Sequence, residues 1–389
     1  MLRYLTAGES HGKGLVAILE GLPAGLKLSS GDIDRELRRR QAGYGRGKRM
    51  EIEKDKVEII SGVRMGRTLG SPIALLIKNL DWENWRQVMM VEDRKVISQN
   101  IPPLTHPRPG HADLAGAIKY NFDDLRNVLE RASARETAVR VAIGAICRRF
   151  LSEFEIRIYS RVIQIGSIKD VNQWQPIKAS YQIIEDSPLR CLNKRAEAKM
   201  IALIDSAKEK GDTLGGVFEV VILNLPVGLG SYVQWDLKLD ARLAYALMSI
   251  QAIVGVEVGS GFVAAEKFGS QVQDEIFYEK SEHRFFRHSN NAGGIEGGMS
   301  NGEPIILRAA MKPISTLGQP LSSIDMVSKK PVKAMKERAD VCALPAASVI
   351  GEAVAAFEIV RAMREKFGGD SLTETKRNYS GYLDYLRKR

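Results

Sequence analysis

One pattern limits what this chain can fold into more than any other: a glycine loop, strand and turn occur twice. Gly8-Glu-Ser-His-Gly12 runs into the apolar Leu15-Val-Ala-Ile-Leu19 and then Leu22-Pro-Ala-Gly-Leu26. At a constant offset of 203 positions, Gly211-Asp-Thr-Leu-Gly215 runs into Phe218-Glu-Val-Val-Ile222 and Leu225-Pro-Val-Gly-Leu229. A second match keeps the order at an offset of 232, Gly62-Val-Arg-Met-Gly66 to Leu75 against Gly294-Ile-Glu-Gly-Gly298 to Leu307. A third sets Arg131-Ala-Ser133 against Arg338-Ala-Asp340, each ahead of a long alanine-rich segment, Ala138 to Phe150 and Ala346 to Met363. Those segments are apolar around most of their circumference and read as buried helices.

Glycine and proline recur wherever turns do, so one match alone is weak; three in the same order are evidence of duplication. The expected architecture is therefore α+β, with two similar halves at about 1–150 and 205–370 packed around a pseudo-twofold axis as one domain over 1–389. Each apolar sheet face then has to be covered by helices. Between the halves, Arg161 to about Leu192 reads as a peripheral insertion. An amphipathic helix follows from about Asn193 to Lys210, with its apolar face at Met200, Ile201, Leu203, Ile204 and Ala207, and Gly211 as its stop. Another helix is predicted from about Asp32 to Gln41, capped by Ser30 or Asp32 and ended by Gly43.

Duplication also acts as an internal control. Where the copies agree, a residue serves the backbone; where their chemistry differs, it is a candidate for function. By this test His11, opposite Leu214, and Asp340, opposite Ser133, are not demanded by the shared framework.

At +10 net charge, the chain's partner is expected to be anionic. The run Arg38 to Arg49 carries six cations (Arg38, Arg39, Arg40, Arg46, Lys48, Arg49) and no acid, with interleaved glycines. By itself such a run reads first as a solvated charged loop and second as an arm folded over phosphate or carboxylate groups. Only Tyr44 could stack a base, which argues against nucleic acid. His106-Pro-Arg-Pro-Gly-His111-Ala-Asp113 is a stiff loop with two imidazoles and a guanidinium close together. Its i, i+5 histidines lack the spacing of a helical zinc pair and no third ligand is evident, so no metal is expected. A bound dianionic phosphate favours a protonated imidazole, which makes His111 a candidate general acid for a phosphate leaving group.

The glycine segments match no nucleotide signature. Gly8 to Gly14 is one residue short of a P-loop and lacks the Ser or Thr after Lys13, and Gly228-Leu-Gly230 has no third glycine in place. His283 and His288 have no accompanying carboxylate and read as structural or surface residues. The scattered Cys147, Cys191 and Cys342 suit a reducing compartment. No signal pattern opens the sequence and no apolar run approaches a membrane span, so a cytoplasmic protein with neither membrane nor nucleic-acid partner is expected.

Taken together, Gly8 to Gly12, Arg46 in Gly-Tyr-Gly-Arg-Gly, His106 to Asp113, Arg131-Ala-Ser-Ala-Arg-Glu-Thr137, Lys312-Pro-Ile-Ser-Thr316 and Arg338-Ala-Asp-Val-Cys-Ala-Leu-Pro345 resemble the chorismate synthase family across essentially the whole chain. The resemblance implies a β-α-β sandwich subunit, a homotetramer, and noncovalent reduced FMN held without a Rossmann fold. It implies elimination of phosphate from 5-enolpyruvylshikimate-3-phosphate (EPSP) to give chorismate. Carried over residue by residue, the FMN contacts are Arg131, Ala132, Ser133, Gln251, Ala252, Gly298, Lys312, Pro313, Ile314, Ser315, Thr316 and Arg338. Arg40 and Arg46 match positions tied to a nicotinamide cofactor, NADPH as reductant. Ser10, Arg46, Arg49, Arg108, Arg135 and Arg338 grip the substrate, whose two carboxylates and phosphate call for guanidinium forks. His111 protonates the leaving phosphate, His11 controls protonation of the reduced flavin, and Asp340 accepts the substrate proton. Ala132 and Ala339 stand where the family usually has Ser. The competing readings are a nucleic-acid or phosphoinositide-binding module and a different flavin enzyme of the same shape.

Overall fold

A computed structural model describes residues 1–47, 52–92, 101–172, 178–337 and 339–389. The apolar alternation of the first half builds a four-stranded antiparallel sheet from β1 (Arg3–Ala7), β2 (Gly14–Glu20), β3 (Val57–Ile59) and β4 (Ile73–Lys78), in the order β1-β2-β4-β3. Register places Leu15 opposite Ile77, Ala17 opposite Leu75 and Leu19 opposite Ile73. Successive strand side chains point to opposite faces, so these six line one buried face. The second half builds a sheet from β5 (Arg157–Ile165), β6 (Ile168–Lys169), β7 (Gly216–Leu223), β8 (Ile253–Val258) and β9 (Ile305–Met311), ordered β8-β9-β7-β5-β6. There Ile305, Leu307 and Ala309 oppose Ile222, Val220 and Phe218.

Helices accompany the sheets. They are α1 (Ser30–Gln41), α2 (Asp113–Tyr120), α3 (Arg126–Ala132), α4 (Thr137–Ser152), α5 (Lys194–Glu209), α6 (Leu239–Met248), α7 (Leu344–Phe367) and α8 (Leu372–Arg387). α4 packs on β2 and β4, α7 packs on β5 and β7, and the two helices pack on each other. They are the alanine-rich segments expected to be buried, and both are. Their approach is so close that a Cβ on Gly144 would lie 2.3 Å from the Cβ of Ala353. The result is sheet, helices, sheet around one core.

Strand order repeats as well: β1-β2-β4-β3 has the same sequence of neighbours as β5-β7-β9-β8, with β6 added at the edge. In each set one helix, α1 or α6, links the second and third strands, and a buried helix, α4 or α7, follows the fourth. The matched glycine turns form matched hairpins, Val63–Arg64 with Arg67–Thr68 and Ile295–Glu296 with Met299–Ser300.

Two expectations need correction. Arg161 to Ile165 belongs to no peripheral insertion: β5 is an interior strand with Ser160, Arg161 and Val162 buried. The heptad-free, mixed polar sequence of this strand hid its two-sided burial. α1 is capped by Ser29, whose hydroxyl accepts from the Asp32 N–H while the Asp32 carboxylate accepts from the Ser29 N–H. The helix at 194–209 runs as expected, capped by Asn193, with Gly211 just beyond it at φ +64°.

Candidate active site

The first glycine loop follows β1 and is bent so tightly that Gly8, at φ +106°, has Gly14 O where a Cβ would stand, 2.3 Å away. This turn presents Ser10 and His11 to α3. The Ser10 N–H donates to Glu130 O at 3.0 Å, and its hydroxyl donates to Ser133 Oγ at 3.1 Å. His11 is held at both ends by one carboxylate: its main-chain N–H donates to Glu130 Oε2 at 2.7 Å and its Nδ1 lies 2.8 Å from Glu130 Oε1. The ring stacks on Trp85, with centroids 4.0 Å apart and planes 24° apart. Asp81 fixes Trp85 by accepting its indole N–H at 3.1 Å.

A chain of buried charge continues from Ser133. Its hydroxyl accepts the Arg135 N–H, and the Arg135 side chain donates to Asn79 Oδ1 at 3.0 Å and Asp55 Oδ2 at 2.7 Å, with Glu53 3.6 Å away. Asp55 is 3.7 Å from Arg40, which donates to Thr137 Oγ1 and Ala134 O. Burial pushes the Arg40 guanidinium down to about 9, opposed by Asp55 and reinforced by the cations Arg135 and Arg46; it remains charged at neutral pH. Arg46 pairs with Asp340 at 3.2 Å, and Asp340 also accepts the Gly47 N–H at 2.6 Å. The basic run is therefore no solvated loop up to Gly47: Arg39 lies among Glu36, Glu185 and Glu352, and Arg40 is buried. Sequence spacing could not reveal this, because apart from Glu36 on the same helix the acidic partners of Arg39 and Arg46 come from distant segments.

The His106–Asp113 loop forms a second cluster. Arg108, buried, donates twice from its side chain to Asp113, at 2.8 and 3.0 Å, and once to Thr316 Oγ1 at 2.9 Å. His111 Nδ1 lies 2.5 Å from Asp113 Oδ1. Burial raises the Asp113 carboxyl, but hydrogen bonds from His111 and Arg108 outweigh it and hold the group well below the usual carboxylate range. Lys312 closes the loop by donating to Gly110 O at 2.7 Å, and Ser323 donates to Pro107 O at 2.5 Å.

Arg131 donates to the carbonyls of Gly8 and Thr6 and to Thr6 Oγ1, beside the half-buried Ala132. Gln251 lies 3.4 Å from Glu136, and Ala252, at φ +66°, accepts the Lys312 N–H at 2.9 Å. Ile314 O accepts Thr213 Oγ1, Pro313 packs against Gly215, and Ser315 lies beside Gly110. Gly298, at φ +84°, packs against Lys238 and accepts the Leu239 N–H, in contact with neither histidine cluster. Arg49 and Arg338 lie outside the described residues. Among the described residues no group of three His, Cys, Asp or Glu side chains is arranged to hold a metal. His283 sits at an exposed hairpin turn and His288 packs on Phe277; the three cysteines are buried and free.

Sequence reading missed Glu130, Asp55, Asn79 and Trp85. Glu130 had a usable signal, since it directly precedes the Arg131-Ala-Ser133 motif; the others are remote in sequence from the motifs they support. A surface hollow of about 180 Å³ between α1 and α4, lined by Arg35, Glu36, Arg148 and Arg157, belongs to neither cluster.

Several cations are drawn inward and paired across the fold, an arrangement that suits an α+β enzyme with a small anionic substrate. Comparison with known proteins makes this specific. The family model described as chorismate synthase matches residues 2–363. The chorismate synthase of Geotalea uraniireducens (strain Rf4) is 57% identical over 393 residues, covering 100% of both chains. That of Aquifex aeolicus (strain VF5) is 56% identical over 394 residues, covering 99% of this chain and 98% of its own. A crystal structure of chorismate synthase superimposes with a TM-score of 0.81 at 47% identity, covering 100% of this chain and 99% of that one. The chain belongs to the chorismate synthase family. No helix among the described residues is long and apolar enough to cross a membrane.

Proposed function

We propose that this protein eliminates phosphate and a ring hydrogen from EPSP to give chorismate, as a lyase of the shikimate pathway, with reduced FMN bound noncovalently. The observation that carries the reading is a run of contacts from His11 and Ser10 through Ser133 and Arg135 to Asp55 and Arg40, with the Arg46–Asp340 pair near enough to act on the Arg40 charge. It joins an imidazole and a carboxylate from distant segments through guanidinium groups suited to carboxylates and phosphate. The donor set also fits a phosphate-bearing cofactor. Buried Arg40 Nη1 and Arg135 Nη2 donate no hydrogen bond within the protein, facing Asp55 at 3.7 Å and Glu53 at 3.6 Å. Arg131, Ala132, Ser133, Gln251, Ala252, Gly298, Arg338 and Lys312 to Thr316 would hold FMN.

What a bound reduced flavin supplies is transient electron density for a C–O bond that otherwise breaks poorly. Arg46, Arg49, Arg108, Arg135 and Arg338 bind the three anionic groups of the substrate and offset charge on the leaving phosphate. His111, steadied by Asp113, gives the phosphate its proton. Asp340 takes the ring proton, and His11 governs the proton at the cofactor. Ser10 and Ser133 hold these groups in register. Arg40 and Arg46 are also the candidates for NADPH, which consumption of NADPH without added reductase would test.

The repeated strand order supports an internal duplication with a pseudo-twofold axis. A homotetramer is supported by the exposed apolar side chains Tyr232, Trp235, Tyr245, Phe262 and Phe268, each at least 72% accessible in one chain. A cytoplasmic location suits three free cysteines. The test is anaerobic incubation with FMN, a reductant and EPSP: chorismate and phosphate should appear in equal amounts. FMN binding without turnover of EPSP would favour a different flavin enzyme of this shape. Absence of FMN binding together with affinity that falls steeply with salt would favour the nucleic-acid or phosphoinositide module.

A further inference from the structure

The carboxylate that grips His11 goes beyond the residues given roles above. Glu130 sits on α3, with its side chain 1% exposed, and both of its oxygens are engaged by the same residue, Oε2 by the His11 N–H and Oε1 by the ring Nδ1. α3 is itself locked to the loop by Ser10 N–H to Glu130 O and by Arg131 to the Gly8 carbonyl. An ionised carboxylate only accepts hydrogen bonds, so a ring nitrogen 2.8 Å from it has to carry the proton. The stack on Trp85 fixes the ring plane, and Asp81 fixes Trp85.

We propose that Glu130 is the positioning residue of His11: it imposes the Nδ1–H tautomer, so that proton traffic at this histidine passes through Nε2 alone. The inference rests on the proposed role of His11 in proton handling, but its geometric core does not require it. The Glu130 carboxylate hydrogen-bonds to His11, at its main-chain N–H and its ring, and so acts through that residue. This is the arrangement by which a hydrogen bond at one imidazole nitrogen decides what the other can do.

The test uses the full-length protein labelled with 15N-histidine, with five histidines to resolve and His11 assigned by loss of its signals in His11→Asn. In a long-range 1H–15N spectrum at a pH where the imidazole is neutral, His11 should show a protonated Nδ1 and a bare Nε2. Glu130→Gln, which sets an amide against the two His11 donors, should give mixed or reversed tautomers. It should also lower kcat at least about tenfold with KM within about twofold. A wild-type spectrum with the proton on Nε2 would overturn the inference without any variant, which covers the case in which Glu130→Gln fails to fold. Unchanged tautomer and kcat in a folded Glu130→Gln protein would overturn it as well. If the wild type does not turn over EPSP, the proposed function falls, while the spectrum still decides the role of Glu130.

Discussion

The two glycine loops do the same mechanical job with different chemistry. Gly8–Gly12 docks on the stretch ahead of α4, and Gly211–Gly215 docks on the stretch ahead of α7. In the first, a backbone bridge from the Ser10 N–H to Glu130 O is joined by polar side-chain contacts, Ser10 to Ser133 and His11 to Glu130. In the second, it is a plain backbone bridge, with the Leu214 N–H donating to Val341 O at 2.8 Å beside Asp340. One framework thus holds an imidazole in one copy and steadies a carboxylate-bearing segment in the other. Backbone contacts hold both loops in place, and the side chains that differ between them are the ones to which the proposed function assigns chemistry.

Substitutions can break this contrast. The largest expected effect is His11→Ala, which should cut the turnover of EPSP by about 10² to 10⁴ with FMN binding retained. Its counterpart Leu214→Ala should leave turnover within about twofold and cost about 2 kcal/mol in urea unfolding. Equal losses of turnover in both would abolish the distinction. Next come the glycines. Gly215→Ala sets a Cβ 2.3 Å from Met311 O, and Gly8→Ala meets Gly14 O at the same distance. Each should lower stability by about 2 to 3 kcal/mol, from steric overlap at Gly215 and from overlap plus backbone strain at Gly8.

Asp113→Asn sharpens the comparison with the second cluster. Asp113 titrates lower in the folded protein than in the unfolded chain, so its contribution is complete above the unfolded value near ~3.9 and is lost as pH falls through the folded value. The variant should be about 2 kcal/mol less stable at pH 7, with the gap to wild type closing under strong acid, as followed by denaturant midpoints against pH. Smallest is Ser133→Ala, which removes acceptors for Ser10 and for the Arg135 N–H and should cost about 1 kcal/mol in thermal unfolding.

Helices α4 and α7 were readable because an unbroken apolar circumference has one solution, burial among other elements. The hairpins at 63–68 and 295–300 were readable because their glycines demand turns. β5 was not: Arg157-Ile-Tyr-Ser-Arg161 shows no clean alternation, and its buried Arg161 is tolerated because Glu219 on β7 lies 3.0 Å away and Asn172 O accepts from it. The histidines, Asp340 and the arginines stood out through motif and through contrast between the copies. Asp55 and Asn79 did not, because a lone acid or amide in sequence is indistinguishable from a surface residue until its partner is known, whereas Glu130 was marked only by its place ahead of the Arg131 motif.

The sequence by itself determined the repeated strand and helix pattern, the buried helices and the polar residues that depart from the repeat, since periodicity and turn chemistry are local properties of the chain. Which carboxylate meets which guanidinium or imidazole was decided only by the tertiary structure. Those pairings span separations from two residues, as in His111 and Asp113, to 313, as in Arg39 and Glu352. Electrostatics acts through distance in space, and no local rule records it.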